Sequence, residues 1–122
     1  MAKKILIVDD SKTIRQQVAF TLSKGGYDVV EAEDGQIGYD TLKNATDIAM
    51  VISDVNMPNM DGIEMIETIA KDSAITPLPI IILTTEGSGK LIDRAKAAGA
   101  KGWLVKPFKP DQLLAAVGKL TA

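Results

Sequence analysis

The 122-residue sequence contains no cysteine and no histidine. The first absence removes disulfides, thiolate zinc sites and thiol nucleophiles together. The second excludes a Ser-His-Asp hydrolase, a His-ligated metal and a His general base. No apolar run approaches the length of a membrane span. Met1 to Lys4 lead into only four apolar residues before Asp9, too few for a signal peptide. The expected location is therefore the cytoplasm, with no membrane partner. There is also no linker, low-complexity tract or internal repeat, so residues 1–122 read as one domain. A chain of this size buries roughly two-thirds of its unfolded surface and needs no staple.

Charge is nearly balanced. The net value of -2 gives no general reason to expect a nucleic acid partner. Its distribution is uneven, with 13 acidic and 7 basic residues in 1–85 but 3 acidic and 7 basic in 86–122. A locally positive C-terminal third fits either ordinary solvated helices or a docking face for an acidic partner. Within it, the face formed by residues 86–109 carries Lys90, Arg94, Lys96, Lys101 and Lys109 against Glu86 and Asp93.

Short apolar runs alternate with helix-period segments. Ile5 to Val8 is the first run and stops at Asp9-Asp10. Residues 11–24 follow with Ile14, Val18 and Leu22 on one stripe, then Gly25-Gly26. Val29-Val30 is a second run. Residues 36–44 read as a weaker helix because Gly38 lowers its propensity. Ile48 to Ser53 is the third run and ends at Asp54. Residues 63–71 place Ile63, Ile66 and Ala70 on one face. Pro79 to Leu83 is the fourth run and ends at Thr84. Leu91, Ala95 and Ala98 mark a helix closed by Gly99, and Trp103 to Val105 is the fifth run, ending at Lys106-Pro107. Pro110 opens a last helix with Leu113, Leu114, Val117 and Leu120 inward. Five β-α units of this kind predict an α/β fold. Strands apolar throughout suit a parallel sheet covered on both faces, and right-handed crossovers give three layers.

In such sheets function sits beyond the carboxyl ends of the strands. Those ends supply Asp9 and Asp10, Asp54, Thr84 and Lys106. Three carboxylates this close repel, and each makes the others harder to ionise. A divalent cation relieves the conflict, and hard oxygen ligands without imidazole or thiolate point to Mg²⁺. Mg²⁺ beside a lysine suits a phosphoryl group, attacked in line by a carboxylate. Each residue taken alone has a plainer reading: Asp9-Asp10 or Thr84 as helix caps, Asp54 as a turn residue, Lys106 as a surface lysine. Met57, Met60 and Met65 read as packing. The coincidence of four strand ends at one edge favours a site.

Four segments resemble response-regulator receiver domains: Ile7-Val8-Asp9-Asp10-Ser11, Asp54-Val55-Asn56-Met57-Pro58-Asn59-Met60-Asp61-Gly62, Leu83-Thr84-Thr85-Glu86, and Lys106-Pro107-Phe108. Each is modest alone; together, in order and spacing, they are specific, and the resemblance covers essentially the whole chain. It implies a doubly wound, flavodoxin-like sheet in the order 2-1-3-4-5. It implies that Asp54 accepts phosphoryl from a histidine kinase. Asp10 and Asp54 would ligate Mg²⁺ by their carboxylates and Asn56 by its carbonyl, with Asp9 acting through water or as a close second ligand. Lys106 would pair with phosphoryl oxygens, Thr84 would swing its hydroxyl toward them, and Lys106-Pro107 would be cis. Trp103 stands where relatives carry an aromatic switch residue, usually Tyr or Phe; its ring would shift inward as Thr84 moves.

Within that family the chain is most similar to stand-alone chemotaxis regulators of the CheY type, whose downstream target is the flagellar motor switch. With no output domain after the last helix, the signal is expected to leave by contact with another protein, from a monomer. The domain would catalyse only its own phosphorylation and dephosphorylation and is not expected to be an enzyme on a separate substrate. A phosphorelay shuttle is the alternative within the class. An aspartyl-phosphate phosphatase would need Asp-x-Asp after the first strand, where the aspartates here are adjacent. A flavodoxin-like redox module would need a Ser/Thr/Gly-rich phosphate loop there.

Overall fold

Apolar side chains occupy both faces of every central strand, and the chain folds accordingly in its computed structural model, which describes residues 3–45, 47–85 and 89–122. The elements in order are β1 (Lys4–Val8), α1 (Lys12–Lys24), β2 (Asp28–Ala32), α2 (Gly35–Asn44), β3 (Ile48–Ser53), α3 (Gly62–Lys71), β4 (Ile80–Thr84), α4 (Gly89–Ala98), β5 (Gly102–Val105) and α5 (Pro110–Thr121). The sheet is parallel in the order β2-β1-β3-β4-β5. The expected doubly wound α/β architecture is therefore present. Glu86 of the third motif lies outside the described residues. Among the described residues no helix is long and apolar enough to cross a membrane.

Strand alternation divides the core in two. Leu6, Val8, Val51, Ile80 and Ile82 face α2, α3 and α4, where Leu42, Ile63, Met65, Ile66, Ile69 and Ala95 close over them. Ile5, Ile7, Met50, Ile52, Ile81 and Leu83 face α1 and α5, covered by Val18, Leu22, Leu113 and Val117. Two expectations change in detail. Ala70 is exposed, and Ile69 takes the inner position; the 3.6 period leaves positions 69 and 70 nearly equivalent, and the larger apolar side chain wins the core. Gly38 is more than a weak spot. A Cβ there would stand 2.9 Å from Val8 Cγ2 and 3.0 Å from Met65 Sδ, so glycine lets α2 settle closely on β1 and α3.

Helix starts are set by side-chain caps. Ser11 accepts from the Ile14 N–H, and Asp34 from the Ile37 N–H at 2.8 Å. Asp61 and Glu64 form a reciprocal capping box at the start of α3. The cap of α1 is thus Ser11, which leaves both preceding aspartates to other work.

Candidate functional site

The carboxyl ends of β1, β3 and β5 meet at one point. Asp9 directly follows β1 and is only 3% exposed. All of its polar atoms are held. Its N–H donates to Ala32 O (3.1 Å), and its carbonyl accepts from Arg15 Nη1 (2.7 Å). Its Oδ1 accepts from the Ser11 N–H (2.9 Å) and its Oδ2 from Lys106 Nζ (2.7 Å). Asp10, one residue on, is exposed. Asp54 follows β3. Its N–H donates to Val8 O (2.9 Å), Oδ1 accepts from the Val55 N–H (2.6 Å), and Oδ2 accepts from Lys106 Nζ (2.8 Å). Lys106 follows β5, where its N–H donates to Thr84 O (2.8 Å), and its bond to Pro107 is cis.

The Asp54 backbone is gripped from the side of α3. Ser53 Oγ donates to the Asp54 carbonyl (2.8 Å), and a Cβ at position 62 would lie 2.0 Å from that same oxygen. Only glycine permits so close an approach. The loop between is pinned by Asn59, whose left-handed backbone (φ 66°) aims Nδ2 at Asp34 Oδ2 (2.8 Å). The Ile37 N–H and then Asn59 hold the Asp34 carboxyl below the usual range.

Carboxylate oxygens of Asp9, Asp10 and Asp54 all lie within 4.8 Å of one another. Lys106 is the cation placed among them, bridging two of the three. Burial, the largest influence on Asp9, pushes its carboxyl above the usual range, against the opposing pull of Lys106 and the Ser11 N–H. Burial works against the Lys106 ammonium as well, but hydrogen bonds and attraction to Asp54 and Asp9 outweigh it and raise its pKa. One ammonium does not neutralise three carboxylates. An all-oxygen donor set with Asp10 open to solvent fits a hard divalent cation, so the cluster could hold a metal ion.

The sequence and the fold have known counterparts. The family model described as "Response regulator receiver domain" matches residues 5–118. The chain belongs to that family. The receiver domain is 41% identical over 111 residues to chemotaxis protein CheY1 of Helicobacter pylori (strain ATCC 700392 / 26695), spanning 90% of each chain. It is 40% identical over 111 residues to a CheY homolog of Campylobacter jejuni (strain 81-176), spanning 90% of this chain and 85% of that one. Among solved structures it is similar to CheY4 of Vibrio cholerae, with a TM-score of 0.90 and 42% identity over 98% of this chain and 99% of that one. It is a signalling domain of the response-regulator class.

The remaining anticipated residues are placed as follows. In the receiver domain Thr84 is fully buried at the end of β4, and Asn56 is exposed in the loop after Asp54. Trp103 is paired in register with Ile82, while Thr84 faces Val105. Thr84 and Trp103 are thus diagonal neighbours, not direct ones. The indole already packs against the core facing α3 and α4, and its buried Nε1 finds no acceptor among the described residues.

Arg15 was missed by sequence reasoning. It is 9% exposed, binds the Asp9 carbonyl, and its Nε donates to Glu31 Oε1 (3.1 Å). A signal existed: position 15 lies three before Val18 and seven before Leu22, so a charge sits on the buried stripe of α1. The Asp34–Asn59 tether carried no such signal, because it joins residues 25 apart through a loop.

Proposed function

We propose that the receiver domain accepts a phosphoryl group on Asp54 from a kinase phosphohistidine, with Mg²⁺ as cofactor. The observation that carries this reading is the Lys106 ammonium at 2.7 Å from Asp9 and 2.8 Å from Asp54 beside a third, solvent-open carboxylate. Asp10, Asp54 and the Asn56 carbonyl would hold the metal, with Asp9 contributing through water or as a close second ligand. When bound, Mg²⁺ supplies positive charge for the phosphoryl oxygens. An Asp54 oxygen bonds to phosphorus as the phosphorus–nitrogen bond breaks, and the electron pair remains on the departing imidazole. Lys106 exchanges a carboxylate oxygen for a phosphoryl oxygen, which keeps its charge paired throughout. Attack of water on phosphorus later releases inorganic phosphate and restores Asp54. No separate substrate is turned over, so the domain serves as a timed signal, not an enzyme.

Thr84 and Trp103 are the proposed switch. Movement of Thr84 toward the phosphoryl group would vacate space beside Trp103, whose partly buried ring, already packed on the core facing α3 and α4, would then shift further inward. The exposed Lys90, Arg94, Lys96, Lys101 and Lys109 favour an acidic partner segment. The chemotaxis names of the relatives support a role in that pathway, and the receiver-domain resemblance makes the cytoplasm its place and a flagellar switch protein its target.

Intact-mass measurement after incubation with a small phosphodonor and Mg²⁺ tests the reading. One added phosphoryl group is expected, and none in Asp54→Asn. Undiminished labelling of Asp54→Asn at another residue would overturn it.

A further inference from the structure

Arg15 is a nearly buried cation that the phosphoryl chemistry leaves without a task. Its side chain leans back toward the start of α1, as helical side chains do, and arrives beneath the end of β1. There Nη1 donates at 2.7 Å to the Asp9 carbonyl, a buried contact, while Nε donates at 3.1 Å to Glu31 on β2. The ladder shows why this is needed. The Asp9 N–H still pairs with Ala32 of β2, but β2 ends at Ala32 and the chain turns into α2. The Asp9 carbonyl is thus left without a strand partner, and a buried carbonyl requires one.

That carbonyl belongs to the peptide unit joining Asp9 to Asp10. The unit is planar, so fixing its oxygen fixes the plane and the direction in which the chain leaves toward Asp10. Asp9 is secured at every polar atom; among the described residues the Asp10 side chain has only the backbone to position it. We propose that Arg15 is a positioning residue for the metal site: held by Glu31, it locks the Asp9–Asp10 peptide and so sets the Asp10 carboxylate for Mg²⁺. This rests on the metal-dependent reading above. The guanidinium suits the task because its planar fork serves two acceptors on two strands at once, which a lysine's single nitrogen does less well. Arg15 touches neither metal nor phosphoryl group.

Calorimetric titration of the full chain with Mg²⁺ alone tests this, comparing wild type with Arg15→Met, Arg15→Lys and Glu31→Ala. Loss of groups that orient a metal ligand weakens affinity about 10–100-fold. Arg15→Met is expected at about the lower end of that range. Arg15→Lys should also be weakened, and Glu31→Ala should fall between wild type and Arg15→Met. Phosphorylation of Arg15→Met by a small phosphodonor should be slow at low Mg²⁺ and recover at saturating Mg²⁺, a split that general loss of stability would not produce. Wild-type affinity in Arg15→Met overturns the proposal. So does full affinity in Arg15→Lys, which would assign the effect to charge alone; this variant also decides the matter if Arg15→Met does not fold. A wild-type chain that binds no Mg²⁺ and takes no phosphoryl group would instead overturn the reading on which the proposal rests.

Discussion

Two Lys–Asp contacts of the same length stand at opposite ends of the sheet. At the amino end Lys4 Nζ meets Asp47 Oδ2 at 2.7 Å, with side chains 33% and 63% exposed. At the carboxyl end Lys106 Nζ meets Asp9 Oδ2 at 2.7 Å, with side chains 10% and 4% exposed. Distance does not distinguish them. Surroundings do: water screens the first pair, whereas the second is largely desolvated and shares its ammonium with Asp54. The first is an ordinary surface pair. The second holds like charges together at a site where they would otherwise part. Among the described residues, five of the six buried polar ones, Asp9, Arg15, Asp34, Ser53 and Thr84, also gather toward the carboxyl end.

The comparison is sharpest if the bridging cation is removed. Lys106→Met should destabilise the metal-free protein by about 3 kcal/mol, because two poorly hydrated carboxylates are left facing each other. Denaturant unfolding measures this, and added Mg²⁺ should recover much of the loss. An unchanged midpoint without metal would make the carboxyl-end pair no different from the surface one.

Asp34 offers a middle case, a buried carboxylate held by N–H donors with no cation. Asp34→Ala removes the cap of α2 and the tether to Asn59, at a cost of about 1–2 kcal/mol at neutral pH. Because its folded pKa is lowered, this contribution is complete above the unfolded carboxyl pKa and is lost as pH falls through the folded value. The gap between wild type and Asp34→Ala should therefore be flat near pH 7 and narrow in acid; a gap that widens in acid would contradict the assignment. Smallest of all, Lys4→Ala should leave the thermal midpoint unchanged within error. A large drop would show that exposure fails to separate the two pairs.

Much of this was readable in advance because of how parallel strands are buried. A strand covered on both faces is apolar throughout, so Ile48 to Ser53 and its counterparts announced both the elements and their ends, and the strand ends announced the site. What stayed hidden depended on register and side-chain direction. Nothing local says that Trp103 pairs with Ile82 and not Thr84, or that its indole already packs inward. The choice between Ile69 and Ala70 rested on a single residue step, a little over a quarter of a turn, that only the packed helix resolves. Arg15 was visible as an anomaly on an apolar stripe, but its acceptor, a main-chain oxygen at a strand end, carries no mark in the sequence.

The contact between the Asp54 carbonyl and Gly62 divides the molecule into a fixed and a moving part. With a Cα seated where no Cβ fits, the acceptor's main chain cannot shift without displacing α3 bodily. A phosphoryl group landing on Asp54, as proposed above, would therefore strike an anvil. The recoil would be taken up by whatever is less firmly seated, and Lys106 qualifies: it follows the four-residue edge strand β5 and, on the proposed reading, would change partners. On that reading the signal would travel from the middle of the sheet to its margin, with the acceptor staying still so that its neighbours can move.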